Sequence, residues 1–216
     1  MKKMIKNPHL FLLMTLVIFS FTSCKVSKQY VTFISKKAEI ETPETKKVIL
    51  IATDDIKVLE FTNTFQKNYE EKAAFSSQYL NDFSNKIKAS KVFGDVTYNI
   101  LKETYASLNT TDADYVIHFS NFEITNRYEW RQSGNIGGMN GMGSMNTSSS
   151  VEYCVINVKV AVYDTKNDKE ILDFIAIGEA SVFFFNFTTT LEKAKNRTID
   201  HIINYLKTKQ TTYEKY

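Results

Sequence analysis

The sequence predicts an α+β domain with an α/β-like opening, in which a mixed sheet of about five strands carries two long helices on one face. Three patterns support this prediction. Residues 46–52 (KKVILIA) are a continuous apolar run, which is typical of a strand covered on both faces. Apolar residues recur at spacings of three and four over residues 64–90, which indicates a helix, and alternate with other residues over 151–163, which indicates a strand.

The remaining elements follow from shorter patterns. We expect a short strand at 95–100, a short helix near 102–108 and a strand from Asp114. A strand at 170–184 pairs with 151–163 through the turn DTKNDK, and four aromatic residues at its end are interpreted as core: Phe183, Phe184, Phe185 and Phe187. The alternative for these four is an exposed patch that contacts a partner.

A closing helix is predicted from Thr190 to about Lys207. Thr189 and Glu192 have the T-x-x-E spacing of a capping box, in which each side chain bonds a free backbone N–H at the helix start. Together these elements have the order β-α-β-(α)-β-β-β-α, which implies a mixed sheet.

The N-terminus has the pattern of an export signal. Three lysines without an acidic residue precede an apolar run over 10–21. As a helix this run spans about 18 Å, which is shorter than the ~30 Å apolar core of a bilayer. Residues 1–23 are therefore predicted to be a signal peptide.

Phe21-Thr22-Ser23-Cys24 resembles the lipobox of bacterial lipoproteins, although Phe21 stands where Leu is commoner. The resemblance implies cleavage before Cys24 and acylation of that residue, and two or three acyl chains give stable attachment to a bilayer. Lys25 follows where Asp would imply retention in the inner membrane. We therefore expect a lipid anchor in the outer membrane, on its periplasmic face.

The mature chain divides into a lipidated N-terminus and tether, one folded domain and a tail. The boundaries are 24–45 for the tether, with a short strand expected near Tyr30 to Ile34, 46–208 for the domain with a Gly/Met-rich loop at 132–150, and 209–216 for the tail. Five of the seven glycines lie in that loop. The sequence leaves the oligomeric state open.

Charge and cysteine content argue against nucleic-acid binding and against a disulfide within the chain. The net charge of +3 falls to zero once the three lysines of residues 1–23 are removed, so nucleic-acid binding is not expected. Cys154 is then the remaining thiol, without a disulfide partner in the chain. It shares a strand face with Ile156, Val158 and Val160, which predicts a buried, inert thiol.

Three methionines give the loop at 132–150 its chemical character. Met139, Met142 and Met145 are spaced by three residues, and Trp130 lies just before the loop. Thioethers bind Cu(I), and flexible methionines also fill irregular apolar surfaces of a partner. Partner or membrane contact, copper binding and a loop without a role are the three alternatives.

Catalytic patterns are weak by comparison. His118 and His201 lack a second ligand at a recognisable spacing, so no metal site and no cofactor is expected. Asp54 and Asp55 follow the first strand, where paired carboxylates can hold Mg²⁺ or share a proton, so an enzyme that uses them is a third hypothesis. Loop solvation or helix capping explains the pair more simply. No G-x-S-x-G or phosphate-binding glycine motif is present, and we expect no enzyme activity.

Element order and two sequence stretches resemble a known type of envelope domain. The stretches are ADYVI at 113–117 and VAVYDTKNDKEIL at 160–172. They are similar to periplasmic assembly lipoproteins such as the curli-secretion lipoprotein, and to the TolB N-terminal domain. The resemblance implies a non-catalytic module that docks onto other envelope components. We expect this module to contact another envelope protein through the loop at 132–150 or an exposed sheet edge.

Overall fold

The computed structural model describes residues 28–40, 43–100, 112–132 and 148–213. Nine strands are described: β1 (Lys28–Gln29), β2 (Val31–Lys37), β3 (Lys47–Ala52), β4 (Ile56–Val58), β5 (Asp95–Ile100), β6 (Tyr115–Gln132), β7 (Ser148–Asp164), β8 (Lys169–Ser181) and β9 (Thr212–Tyr213). The α-helices are α1 (Thr62–Asn68), α2 (Lys72–Ser90) and α3 (Phe187–Thr208). Among the helices so described, none is both long and apolar enough to span a bilayer.

Seven strands form one mixed sheet in the order β2–β8–β7–β6–β3–β5, with β4 also beside β6. The pairs β2–β8, β8–β7 and β7–β6 are antiparallel. Strands β3 and β4 are parallel to β6, and β5 is parallel to β3. The carboxyl ends of β3, β4, β5, β6 and β8 therefore lie at the same end of the sheet, which we call the carboxyl end.

The core lies between the helices and one face of this sheet. Phe122 of β6 packs against Phe75 and Tyr79 of α2, with ring centroids 5.5 and 5.0 Å apart. On β8, Gly178 permits close approach of α3, because a Cβ there would overlap the backbone of Ala194 and Thr198. The prediction of a mixed α+β fold is confirmed, with more strands and helices than expected.

The predicted helix over 64–90 is two helices, because the backbone of Tyr69 is extended (φ −135°, ψ 112°). The side chain of Tyr69 is buried, and its hydroxyl donates to Glu192 Oε1 at 2.5 Å. Tertiary contact with α3 thus breaks a continuous helical pattern. The capping-box prediction is also wrong: Asn186 caps α3 by accepting from the Thr189 N–H at 3.2 Å, and Glu192 bonds Tyr69 instead.

Both predicted flanking segments contain strands. Strand β2 lies within the expected tether and pairs with β8, while β1 pairs with β9 in the expected tail. Strand β2 is held in the sheet by its pairing with β8, since its own sequence is rich in Lys, Ser and Thr. The described fold thus begins at Lys28, only four positions after Cys24.

The prediction that Phe183, Phe184 and Phe185 belong to the core is wrong. Strand β8 ends at Ser181, and the three side chains are 70%, 83% and 84% exposed. Phe187 alone is half-buried, at the start of α3. The apolar run continues past the last point where a helix covers the sheet.

Candidate binding surface

Trp130 is the one predicted partner-binding residue whose surroundings the structure describes. Its side chain lies near the end of β6 and is 75% exposed. Met139, Met142, Met145 and Cys24 lie outside the described residues, as does the predicted helix near 102–108. Copper binding and acylation therefore stay predictions.

Trp130 belongs to a two-stranded ribbon, which we define as residues 128–132 of β6 paired with residues 148–152 of β7. Strand β8 pairs with β7 only as far as Tyr153, opposite Ser181. Strand β4 accompanies β6 only as far as Ile124. The ribbon consequently extends about 17 Å beyond its neighbouring strands at the carboxyl end.

The outer edge of β6 presents backbone groups without a strand partner in the described ranges. Phe122 N–H donates to the Asp55 carbonyl and Leu59 N–H donates to the Ile124 carbonyl, so alternate residues of β6 face this edge. The same alternation turns the N–H and C=O groups of Tyr128 and Trp130 to this edge, beyond the end of β4. Such an edge is a template for adding a strand from another chain.

Aromatic side chains stand beside this free edge. Tyr128 and Trp130 lie on the face that carries the helices lower in the sheet, because they continue the alternation of Ile124 and Asn126. Asn126 Nδ2 donates to the Tyr128 hydroxyl at 3.2 Å and to Glu152 at 3.3 Å. The nearby Glu152 carboxylate raises the pKa of Tyr128.

The opposite face of the ribbon is fixed to the sheet at its base. The Arg127 guanidinium lies 4.3 Å from the centroid of the Tyr153 ring, and its Nη2 donates to Glu179 Oε2 at 3.1 Å. Glu179 is buried and also pairs with Lys28. The Arg127 contacts with the Tyr153 ring and the buried Glu179 carboxylate hold the base of the ribbon against β8.

A depression of about 480 Å³ lies at the foot of the ribbon, on the same face as Tyr128. Its walls include Phe61 and Phe187, whose ring centroids are 5.5 Å apart, and the carboxylates of Glu60 and Glu152. Phe61 has a left-handed backbone (φ 62°), which is strained for a bulky residue. Apolar walls with two carboxylates suit an apolar segment that carries a basic side chain.

Cys154 and His201, which were considered as a nucleophile and a metal ligand, occupy structural positions. Cys154 is buried and free, and burial raises the pKa of its thiol to about 12, which agrees with the predicted inert thiol. His201 stacks on Tyr30 with centroids 4.2 Å apart and donates from Nδ1 to the Ile177 carbonyl at 2.6 Å. Within the described ranges, no three His, Cys, Asp or Glu side chains are grouped to hold a metal ion.

A polar cluster between α2 and α3 is likewise structural. Lys195 is fully buried, with Nζ 3.0 Å from Asp82 and 2.7 Å from Glu192. Burial, followed by the hydrogen bond to Glu192, raises the pKa of Tyr69 well above its ordinary value. The ammonium is neutralised by carboxylates on both helices, so the cluster joins α2 to α3.

The comparisons with known proteins give only remote structural similarity. No family model and no curated protein matches the chain. A putative neuraminyllactose-binding hemagglutinin homolog from Helicobacter pylori is 14% identical over 80% of this chain and 89% of its own, with a TM-score of 0.46. The PelC dodecamer from Paraburkholderia phytofirmans is 11% identical over 81% of this chain and 98% of its own, with a TM-score of 0.41.

Lipoprotein GNA1162 from Neisseria meningitidis is a further match, 11% identical over 71% of this chain and 98% of its own, with a TM-score of 0.29. The matched structures thus include a lipoprotein and a homolog of a binding protein. These values are too low to place the chain in a family. The resemblance to curli-secretion lipoproteins and to the TolB N-terminal domain stays a prediction.

Proposed function

We propose that this protein is a lipid-anchored, non-catalytic binding module of the bacterial envelope, which binds a segment of another envelope protein along the ribbon. The observation that carries the proposal is the backbone edge of β6 beside Tyr128 and Trp130, which has no strand partner among the described residues. Main-chain hydrogen bonds at an exposed edge supply affinity, and neighbouring side chains supply specificity.

The side chains at the foot of the ribbon indicate which kind of partner segment can bind there. The aromatic rings of Phe61 and Phe187 accept apolar side chains, and Glu60 and Glu152 attract a positive charge. The bound segment is therefore extended, apolar in part, and carries at least one Lys or Arg. The expected anchor at Cys24 holds this surface in the outer membrane, on its periplasmic face.

Photo-crosslinking in cells tests the surface. A photoreactive phenylalanine analogue replaces Trp130 in the full chain, and a matched variant carries it at Phe33, another exposed aromatic position, on β2. We expect one dominant envelope protein to be captured from position 130 and not from position 33. Equal capture from both positions, or no protein adduct from 130 in folded protein, contradicts the proposal.

A proline substitution separates strand addition from side-chain contact. Tyr128→Pro removes an N–H that faces the free edge, whereas Tyr128→Ala removes the ring and keeps the N–H. We expect Tyr128→Pro to lose at least ten times more of the crosslink than Tyr128→Ala, about 1.4 kcal/mol of binding. If both variants keep the circular dichroism spectrum of the folded protein and lose the same fraction of the crosslink, strand addition is excluded.

A further inference from the structure

Three consecutive phenylalanines form an exposed apolar loop at the carboxyl end of the sheet. We call residues 183–185 the phenylalanine loop. Their side chains are between 70% and 84% exposed, and the rings of Phe183 and Phe184 lie 4.2 Å apart. Three large apolar side chains together in water are unfavourable, since burying each would contribute about 1.5–3 kcal/mol.

The backbone holds these side chains outward. Phe184 and Phe185 have φ values of 46° and 56°, in the left-handed region that bulky residues rarely occupy. Asn186 N–H donates to the Phe183 carbonyl at 3.0 Å, and Phe187 N–H donates to the Phe185 carbonyl at 3.0 Å. Asn186 also caps α3, so the loop is fixed between a strand and a helix of 22 residues.

The sequence around the loop is free of charge. No Asp, Glu, Lys or Arg occurs between Glu179 and Glu192, and the residues that flank the phenylalanines are Ser, Val, Asn and Thr. An uncharged loop can place its side chains in the apolar part of a bilayer without the cost of desolvating a charged group.

The first described residues of the chain run toward the same loop. Ile177 N–H donates to the Tyr30 carbonyl, and Lys28 pairs with Glu179, so the chain read backwards runs up along β8 toward Ser181. Four residue steps separate Lys28 from Cys24, which span at most about 14 Å. The expected acyl attachment point is thereby confined to the neighbourhood of the carboxyl end.

We propose that the phenylalanine loop enters the interface of the bilayer that holds the acyl chains of Cys24, and so fixes the orientation of the domain on the membrane. The proposal rests on acylation of Cys24 and is independent of what the ribbon binds. The short connection places the loop beside the bilayer, and the uncharged, apolar loop matches that surface. The ribbon leaves the same end, so a partner is bound next to the membrane.

Spin-label accessibility tests this proposal in the full acylated chain, reconstituted in phosphatidylethanolamine–phosphatidylglycerol vesicles. A nitroxide is attached at Phe184→Cys, and a second variant, Phe183→Cys, avoids the residue with positive φ. The matched control is Phe33→Cys, which is as exposed as Phe184 but lies on β2, beside the middle of β8. Cys154 needs no replacement, since its buried thiol has a pKa of about 12.

We expect the ratio of oxygen to nickel-complex accessibility to rise several-fold at positions 183 and 184 on vesicle binding, and to stay unchanged at 33. Aqueous accessibility at both loop positions overturns the proposal. So does spin–spin broadening at 184 that depends on protein density, because a second copy then covers the loop. A mass that shows no acyl group on Cys24 also overturns it, whereas crosslinking from Trp130 tests the ribbon separately.

Discussion

The β6–β7 hairpin has a half within the sheet and a half that forms the ribbon. Large apolar residues lie on the same face of β6 in both halves, but the two halves have different surroundings. From Tyr115 to Ile124, β6 lies between β7 on one side and β3 and β4 on the other, with one face under the helices. In the ribbon, β6 has β7 as its only described strand neighbour, and no described helix covers Trp130. Large aromatic residues continue along this face where the covering elements end, which is the pattern expected of the proposed binding surface.

The largest expected effect separates the halves directly. Phe122→Ala removes a ring that packs against Phe75 and Tyr79, and should lower the free energy of unfolding by about 3–5 kcal/mol. Trp130→Ala, on the same strand and the same face, should change it by less than about 0.5 kcal/mol. Urea unfolding measures both. A large loss in Trp130→Ala would show that the ribbon is covered within the chain, contrary to its proposed role.

A smaller effect tests how the carboxyl end is held. Asn186→Ala removes the side chain that accepts the Thr189 N–H, and should destabilise the protein by about 1 kcal/mol. Thr189→Ala is the matched control, because it keeps that N–H and should have almost no effect. Thermal unfolding distinguishes them, and the reverse ranking would restore the capping box that the sequence predicted.

The smallest expected effect is a pH dependence of the free energy of unfolding, caused by two histidines in the folded core region. Burial lowers the pKa of His118 on β6 and of His201 on α3 below the ordinary value of 6.5. As the pH falls through 6.5 the unfolded chain takes up protons first, so the free energy of unfolding decreases toward the lower folded pKa.

Denaturant unfolding at pH values on either side of 6.5 measures this slope. A His118→Asn, His201→Asn double variant should lose it. The loss from Asp114, whose pKa is lowered by its hydrogen bond with Lys166, occurs at lower pH, below 3.8. A slope around 6.5 that persists in the double variant would assign the effect to other groups.

Local patterns predicted most of the sheet and the helices that lie on it. The alternation around Cys154 correctly placed its face of β7 in the core, and the spacing of Leu80, Phe83 and Ile87 placed them on the buried face of α2. The short strand expected near Tyr30 overlaps β2, which extends to Lys37 beside β8. Strand β4 was missed, because its three residues form a strand only beside β6. The sequence predicted Trp130 as a partner-binding residue, but it did not predict that Trp130 lies on a two-stranded ribbon.

The sequence by itself determined the class of fold and the buried thiol at Cys154, because both depend on residue type and local spacing. The lipid site at Cys24 rests on the same kind of local pattern and stays a prediction. The tertiary structure decided where burial stops. The same apolar character is core at Phe122 and exposed at Phe184, since α2 packs against the first and no described helix covers the second. Burial is a property of what packs against a residue, and those contacts come from segments distant in the chain.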